Sequence, residues 1–207
     1  MRNKYFIAAG IIVLAGMALF AGMLFFRKGP DLSTYEFLKE PRITHLQDQK
    51  MLEVRVAGDP NLVGGKAFGP LFKTYFQLKR SVNGLEMVPP RARWPKPLST
   101  PKSEWLGIYA LPIPVFVTAL PEQDSTGEVK AEIATWEYGD VAEILHVGPY
   151  GDESPTVEKL LAFIQAQGYA IVGPHEEEYL KGPGMIFQGD PKKYYTIIRY
   201  RVKKTGR

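Results

Sequence analysis

The stretch Glu143-Ile144-Leu145-His146-Val147-Gly148-Pro149-Tyr150 lies at the centre of the most strongly patterned part of the chain. Residues 141–147 are β-like, and Gly148-Pro149 ends this strand because proline has no N–H and glycine favours turns. A helix follows, with Ser154 as its cap and Pro155 in its first position. Its apolar face is formed by residues at three- and four-residue spacing, namely Val157, Leu160, Leu161 and Ile164.

Gly168 ends the helix, and the chain returns as an apolar run from Tyr169 to Val172. It then reads Gly173-Pro174-His175-Glu176-Glu177-Glu178-Tyr179-Leu180. The pattern predicts a strand-helix-strand unit whose exit carries carboxylates and an aromatic ring. We interpret the adjacent glutamates as a solvated acidic run on a loop, so a metal site formed by them with His175 is not expected.

The order of these features resembles the second half of the GyrI-like small-molecule-binding family, which includes the effector-binding domains of bacterial multidrug-sensing regulators. The residues that carry the resemblance are His146, Gly148, Tyr150, Gly168, Gly173, Pro174, Glu178, Tyr179 and Leu180. The resemblance implies an α+β fold of two strand-helix-strand-strand units. Their antiparallel sheet and two main helices would form a central cleft for a ligand.

The first half of the chain repeats the pattern of the second. Gly58 and Gly148 are ninety residues apart, and each follows a strand pattern and precedes an amphipathic helix. The helix after Gly58 has an apolar face of Phe68, Leu71, Phe72 and Tyr75. Pairing two such units would bury a sheet face that each unit alone leaves exposed. The sequence therefore predicts one domain, residues 41–207, with halves of about 41–120 and 128–207.

Within the first half, two alternating segments, residues 42–47 and 51–56, are expected to pair as an antiparallel hairpin. Further strands are expected at Leu85–Trp94 and Trp105–Leu111. The many prolines from Pro89 to Pro114 indicate loop and edge structure rather than central sheet in this region.

The amino-acid composition excludes several classes of function and of binding site. The 207 residues carry a net charge of +4, which is too small for a nucleic-acid binder without a concentrated basic patch. The chain has no cysteine, which excludes disulfides, thiolate metal sites and a cysteine nucleophile. No phosphate loop, dinucleotide fingerprint or nucleophile elbow occurs, so no cofactor and no catalytic residue are expected, and a binding function is favoured over an enzyme.

The N-terminus predicts a membrane anchor, residues 1–28, joined by a linker, residues 29–40. Tyr5–Phe26 carries no charge, and its 22 residues would form a helix of about 33 Å, enough to span a bilayer. A signal peptide cleaved near Gly16-Met17-Ala18 is disfavoured, because apolar residues 19–26 would remain. Slightly more positive charge precedes the span than follows it, so the positive-inside rule predicts an extracytoplasmic domain.

Aromatic residues on or beside the predicted strands, together with carboxylates, suit a flat or cationic organic ligand through stacking and charge pairing. The candidate ligand-binding residues are Trp105, Tyr109, Trp136, Glu143, Tyr150, Glu178, Tyr179 and Phe187. The resemblance implies a pocket glutamate on the closing strand, residues 194–202, where this chain has Thr196. Glu178 or Glu143 would then have to supply the anion. Arg199 and Arg201 are interpreted as part of a solvated edge strand.

The predicted function is membrane-anchored binding of a small organic molecule, aromatic or amphipathic, for sensing or sequestration. The chain has no DNA-binding segment, so sensing would need an unidentified protein partner. One alternative is a hydrolase of reactive small molecules with Glu178 as the base. Another is haem binding at His146, since the SOUL haem-binding family resembles the same fold. A structural envelope protein is the third.

Overall fold

The computed structural model describes residues 31–97, 99–123, 127–182 and 189–206. The predicted span, residues 5–26, and Phe187 lie outside the described residues. Within the described part, no helix is both long enough and apolar enough to cross a bilayer. Glu36–Arg207 forms one compact unit.

The described chain forms an α+β fold with one eight-stranded antiparallel sheet. The strands are β1 (Arg42–Leu46), β2 (Gln49–Ala57), β3 (Arg91–Trp94), β4 (Leu106–Pro112), β5 (Glu132–Trp136), β6 (Gly139–Val147), β7 (Tyr169–Lys181) and β8 (Tyr195–Lys204). The α-helices are α1 (Pro60–Ser81) and α2 (Ser154–Ala166). Short 3₁₀ helices cover Leu32–Lys39, Lys102–Glu104, Tyr150–Asp152 and Pro191–Lys193.

The sheet is built as a repeat whose halves exchange their first strands. Its order is β1-β6-β8-β7-β3-β4-β2-β5, so β1 of the first half pairs with β6 of the second, and β5 of the second pairs with β2 of the first. The predicted hairpin of the first two strands is therefore wrong. Both sides of β2 are occupied by β4 and β5, and β1 is free to close the far edge of the sheet.

The predicted correspondence of Gly58 and Gly148 is confirmed. Each ends a nine-residue strand and has a positive φ, 122° and 146° respectively, which favours glycine. Glu53 and Glu143 then occupy equivalent positions in β2 and β6, and both are buried. The repeat thus places one buried carboxylate in the second strand of each half.

The two α-helices cover one face of the sheet, which we call the helix-side face. Two separate hydrophobic clusters lie there. In the first, α1 packs Ala67, Leu71, Tyr75 and Leu78 against β2, β3 and β4. In the second, α2 packs Val157, Leu160 and Ile164 against β6 and β8.

Helix α2 begins one residue before its predicted first position, and α1 begins several residues before its predicted apolar face. Helix α1 begins at Pro60, where the Asp59 side chain caps it by accepting a hydrogen bond from the Asn61 backbone N–H (2.9 Å). The helix then continues through Gly64-Gly65. At α2 the cap position is Glu153 rather than Ser154, and the Glu153 carboxyl makes no capping hydrogen bond. That carboxyl is therefore available for another contact.

The opposite face of the sheet carries a buried ion-pair network. We call it the arginine–glutamate network, and its members are Arg42, Arg91, Arg93, Arg199, Glu143, Glu176 and Glu178. Arg199, on β8, donates to Glu143 Oε2 (3.0 Å), Glu176 Oε1 (2.8 Å) and Glu178 Oε2 (3.3 Å). One guanidinium therefore bridges three buried carboxylates.

The remaining arginines complete the network from two other strands. Arg42 on β1 donates to Glu143 Oε1 (2.6 Å), which fastens the exchanged strand to β6. Arg93 on β3 donates to Glu176 Oε2 (2.8 Å), and Arg91 Nε lies 3.1 Å from Glu178 Oε2. The network thus joins β1, β6, β8, β7 and β3 across the middle of the sheet.

These contacts overturn three expectations. Glu176–Glu178 were expected to be solvated, but they are buried because β7 extends to Lys181 and lies between β8 and β3. The strand with Arg199 was expected at an edge, but β8 lies between β6 and β7. The proline-rich region was expected to lack central sheet, yet β3 joins the two halves. Strand exchange moves the edges to β1 and β5.

The network shifts the proton affinities of its members. Burial raises the pKa of Glu176, but Arg199, Arg93 and Arg91 outweigh it and hold that pKa below its usual 4.5. Burial lowers the pKa of Arg199, but Glu176, Glu178 and Glu143 outweigh it and raise that pKa. Both groups are therefore held in their charged forms.

Arg199→Met is expected to lower the free energy of unfolding by about 3–5 kcal/mol, because it leaves three buried carboxylates short of positive charge. Arg201→Met is the matched control, since Arg201 pairs with the exposed Glu137, and it should cost less than about 1 kcal/mol. Urea unfolding at pH 7 measures both. Equal, small losses would contradict a structural role for the network.

The network also predicts acid sensitivity. Because the folded pKa of Glu176 is depressed, its stabilising contribution is present above its unfolded pKa, about 4.5, and is lost as pH falls through the folded pKa. The unfolding free energy should therefore decline steadily as the pH falls below about 4.5. Glu176→Gln should be less stable at pH 7 but have a shallower decline, whereas the exposed Glu158→Gln should follow the wild type. Identical pH slopes for wild type and Glu176→Gln would refute the assignment.

Candidate functional site

The candidate site lies on the helix-side face of β7. Successive side chains of a strand point to opposite faces, so Glu176 and Glu178 enter the arginine–glutamate network while His175, Glu177 and Tyr179 face the helices. Glu177 lies in a row of register partners that crosses six strands. The row reads Ile144, Ile198, Glu177, Ala92, Tyr109 and Val54. Glu177 is its one charged member, and it separates the two hydrophobic clusters.

Two neighbours on β7 hold this carboxylate, and Tyr200 on β8 holds one of them. Tyr179 donates its hydroxyl to Glu177 Oε2 (2.7 Å), and His175 Nε2 lies 3.0 Å from Glu177 Oε1. The other ring nitrogen, His175 Nδ1, lies 2.8 Å from the Tyr200 hydroxyl. Each contact reaches a different polar atom, so the position of Glu177 is fixed on both sides.

Glu153 adds a second carboxyl from the start of α2. One donor atom each from Glu153, His175 and Glu177 lie within 4.8 Å of one another. Glu153 Oε1 is buried and has no hydrogen-bond partner among the described residues. Burial and then the negative charge of Glu177 raise the pKa of Glu153 to about 9, so at neutral pH this carboxyl holds a proton. We call Glu153, His175, Glu177, Tyr179 and Tyr200 the Glu177 cluster.

Glu177 differs from the other buried glutamates in what neutralises it. Five glutamates are buried in the described structure: Glu53, Glu143, Glu176, Glu177 and Glu178. Four of them form an ion pair with at least one arginine. Within residues 31–97, 99–123, 127–182 and 189–206, Glu177 pairs with no arginine or lysine, and its ion-pair partner is His175. Its charge is therefore the least compensated of the five.

Aromatic rings surround the Glu177 cluster on both sides. Tyr150 stands with its ring centroid 5.5 Å from Tyr179 and 5.4 Å from Tyr194, and it is 38% exposed. Its hydroxyl touches Gly182, where a larger residue would collide with it. Burial, and then the charge of Glu177, raise the pKa of Tyr179 and Tyr150, so both stay neutral hydroxyl donors. This side offers a partly open aromatic surface beside a carboxylate.

The other side of the cluster belongs to the first half of the chain. Trp94 is the register partner of His175, and its ring lies 5.2 Å from Trp105 and 5.6 Å from Tyr109. Phe68 of α1 meets Tyr109 edge-on at 5.0 Å. Phe68 also begins a stacked row on α1 with Phe72 and Phe76, all of them half-buried. The two halves thus contribute aromatic groups to opposite sides of Glu177.

The structure divides the predicted ligand-binding residues between the two faces. Tyr150 and Tyr179 lie at the Glu177 cluster, and Trp105 and Tyr109 lie in the neighbouring aromatic group. The predicted anions, Glu143 and Glu178, lie on the opposite face and are bound to Arg199. Trp136 is also on that face, donating to Glu53 Oε2 (2.7 Å). The predicted combination of Tyr179 with Glu178 does not form, because adjacent strand residues face opposite ways.

Sequence reasoning missed Glu153, His175, Glu177 and Tyr200. Period-two alternation from Tyr179 would have selected Glu177 and His175, had residues 173–181 been interpreted as a strand. Thr196, where the resemblance placed the pocket glutamate, is the register partner of Tyr179 and lies on the helix-side face. The anion on this face therefore comes from β7 rather than β8.

His146 has a structural position. Its Nδ1 lies 3.0 Å from Thr156 Oγ1 and its Nε2 lies 3.1 Å from the Pro149 carbonyl, so it ties the end of β6 to the start of α2. Both ring nitrogens are engaged, which leaves His146 no free atom for haem iron.

A cavity of about 230 Å³ opens on the face opposite the helices. Its lining includes Arg93, Tyr138, Glu176, Arg199 and Arg201. These charged groups already pair with one another or with Glu137. This cavity therefore offers a ligand no uncompensated charge of the kind found at Glu177.

No family model and no curated protein matches the sequence. Among solved structures, an uncharacterized conserved protein from Listeria innocua is 23% identical, with a TM-score of 0.68 over 84% of this chain and 97% of that one. A hydrolase from Listeria innocua is 22% identical, with a TM-score of 0.66 over 85% of this chain and 100% of that one. The EcmrR C-terminal domain is 13% identical, with a TM-score of 0.52 over 80% of this chain and 98% of that one. These likenesses show the fold, which is compatible with the GyrI-like resemblance.

Tyr179→Phe is expected to lower the free energy of unfolding by about 1.5–3 kcal/mol, because it removes the hydroxyl that donates to a buried carboxylate. Tyr169→Phe is the matched control, since that ring contacts Lys204 and no hydrogen bond of its hydroxyl is formed in the described structure. Urea unfolding at pH 7 measures both losses. Equal effects of the two substitutions would mean that the Tyr179 hydroxyl does not hold Glu177.

Proposed function

We propose that this chain binds a small organic molecule with a positive charge and an aromatic ring at the Glu177 cluster, for sensing or sequestration. One observation carries the proposal: Glu177 is buried, yet it pairs with no arginine or lysine in the described part of the chain. Removing a carboxylate from water is costly unless it is paired, so a cation bound here would supply the missing charge.

The surrounding rings fit the same ligand class. Tyr150 and Tyr179 present ring faces and edges beside the carboxylate, and tyrosine rings attract cations as well as stacking on flat groups. The partial exposure of Tyr150 gives a ligand an approach from solvent. The fold supports the proposal through the GyrI-like resemblance, whose members bind small molecules between two such halves.

A thermal-shift screen tests this function. A cationic aromatic compound at about a hundred times its Kd should stabilise the chain by roughly 2.7 kcal/mol, a shift of several degrees in Tm. Neutral and anionic analogues of the same shape should give much smaller shifts. Glu177→Gln keeps the shape of the side chain but removes its charge, so it should abolish the cation-induced shift.

Glu158→Gln is the control, because Glu158 is exposed on α2 away from the cluster. Each variant is compared with its own Tm without compound, which separates a loss of binding from a loss of stability. The proposal would be refuted if the cation-induced shift persisted in Glu177→Gln. It would also be refuted if anionic compounds alone stabilised the chain.

A hydrolase is the second candidate, favoured by the carboxyl pair Glu153 and Glu177. Two neighbouring carboxyl groups beside a tyrosine hydroxyl form an arrangement in which one group can activate water and another can protonate a leaving group. The Listeria innocua hydrolase shares the fold, and that activity belongs to that protein. Mass spectrometry of compounds incubated with the chain would detect cleavage, and cleavage equal in wild type and Glu177→Gln would exclude this role.

A membrane tether through residues 5–26 remains part of the proposal, and the uncharged sequence of that segment supports it. The full chain should then stay with membranes through a carbonate wash, while a chain that starts at Gly29 should be released. Recovery of the full chain in the wash would rule out the tether.

A further inference from the structure

The Glu177 cluster also contains side chains that could bind a metal ion. Three side chains of types that bind transition metals converge there, and their donor atoms lie within 4.8 Å of one another. His175 Nε2 and Glu177 Oε1 are already 3.0 Å apart. Ligand bonds of about 2.0–2.2 Å place neighbouring ligands of a tetrahedral ion roughly 3.3 Å apart, so small side-chain adjustments would complete the geometry.

In two of the three donor groups, a tyrosine hydroxyl holds the second polar atom. The Tyr200 hydroxyl lies at His175 Nδ1, and the Tyr179 hydroxyl donates to Glu177 Oε2. With the imidazole proton on Nδ1, where Tyr200 can accept it, Nε2 is free to bind an ion. This is the outer hydrogen bonding that orients metal-binding histidines and carboxylates in proteins.

One oxygen of this donor set lacks a partner within the described residues, which points to a missing ligand. It is the buried Glu153 Oε1. Buried polar groups are normally satisfied, so an unpartnered carboxyl oxygen beside His175 and Glu177 is unusual.

We propose that Glu153, His175 and Glu177 bind a divalent transition-metal ion, Zn²⁺ in the first instance. One imidazole and two carboxylates suit zinc, and three protein ligands leave a coordination position open to water or to a ligand. An imidazole nitrogen disfavours Mg²⁺ and Ca²⁺, which take oxygen ligands. The inference goes beyond the proposed function, because metal binding can be measured with no organic molecule present.

Metal and organic cation would share Glu177 but differ in their need for His175. An organic cation needs the charge of Glu177 and the tyrosine rings, whereas the metal ion needs the His175 lone pair. The two activities are therefore measured apart: Zn²⁺ binding with no organic compound present, and the thermal shift by cationic aromatic compounds in excess chelator. Failure of one activity is thus distinguishable from failure of the other.

The test is a titration of the full-length chain, stripped with chelator, with Zn²⁺ by calorimetry and with Co²⁺ by visible absorption. The expected result is one ion per chain and a Co²⁺ spectrum of four- or five-coordinate type. His175→Gln should weaken Zn²⁺ binding by more than about 100-fold, and Glu153→Gln by about 10–100-fold. Circular dichroism checks that each variant is folded. If His175→Gln does not fold, Glu153→Gln tests the site in its place.

His45 provides the matched control. The chain has three histidines, and His45 lies on the surface with Nδ1 2.9 Å from Asp140 Oδ1. His45→Gln should leave the affinity and the Co²⁺ spectrum unchanged. Absence of stoichiometric Zn²⁺ binding, equal binding by wild type and His175→Gln, or loss of binding in His45→Gln would each overturn the proposal.

Discussion

The alternation of side chains along β7 is the constraint on which the rest of this structure depends. Three consecutive glutamates cannot share a face in an extended strand, so Glu176 and Glu178 go to one side and Glu177 to the other. The carboxylates on the two faces therefore have different neighbours. Arginines neutralise the outer pair, whereas the central carboxylate faces tyrosines, a histidine and a second carboxyl. The carboxylates of the ion-pair network and the carboxylate of the proposed binding site are thus separated within three residues.

The arginine–glutamate network explains how such a sheet is held. Arg199 contacts carboxylates on β6 and β7, Arg42 fastens the exchanged strand β1, and Arg91 and Arg93 reach across from β3. A buried ion pair adds little to the free energy of unfolding compared with an apolar pair of the same volume, but removing one partner lowers that free energy strongly. Because the partners lie on different strands, a strand pairing that separated them would leave buried charges unpaired. Hydrophobic packing under α1 and α2 supplies the bulk stability.

Local signals in the sequence predicted what is local in the fold. The step from β6 through Gly148 to α2, the matching step at Gly58 and the apolar helix faces follow from turn residues and spacing. The exchange of β1 and β5 could not be predicted this way, because strand partners are set by contacts about a hundred residues apart, such as Arg42 with Glu143. For the same reason Glu153 gave no signal: it meets Glu177 only after α2 and β7 have packed. Glu177 itself follows from period-two alternation, whereas the resemblance points to Glu178 and the loop interpretation of the glutamates hides that alternation.

We propose that ligands bind over Glu177 on the helix-side face and that the charged cavity on the opposite face is structural. A crystal structure with a bound cationic aromatic compound tests it most directly. We expect the positive group within about 4 Å of the Glu177 carboxylate, because opposite charges attract strongly at that distance, and a ring of the compound against Tyr150 or Tyr179. A compound bound instead in the cavity beside Arg93 and Arg201, with the Glu177 cluster unchanged, would contradict it.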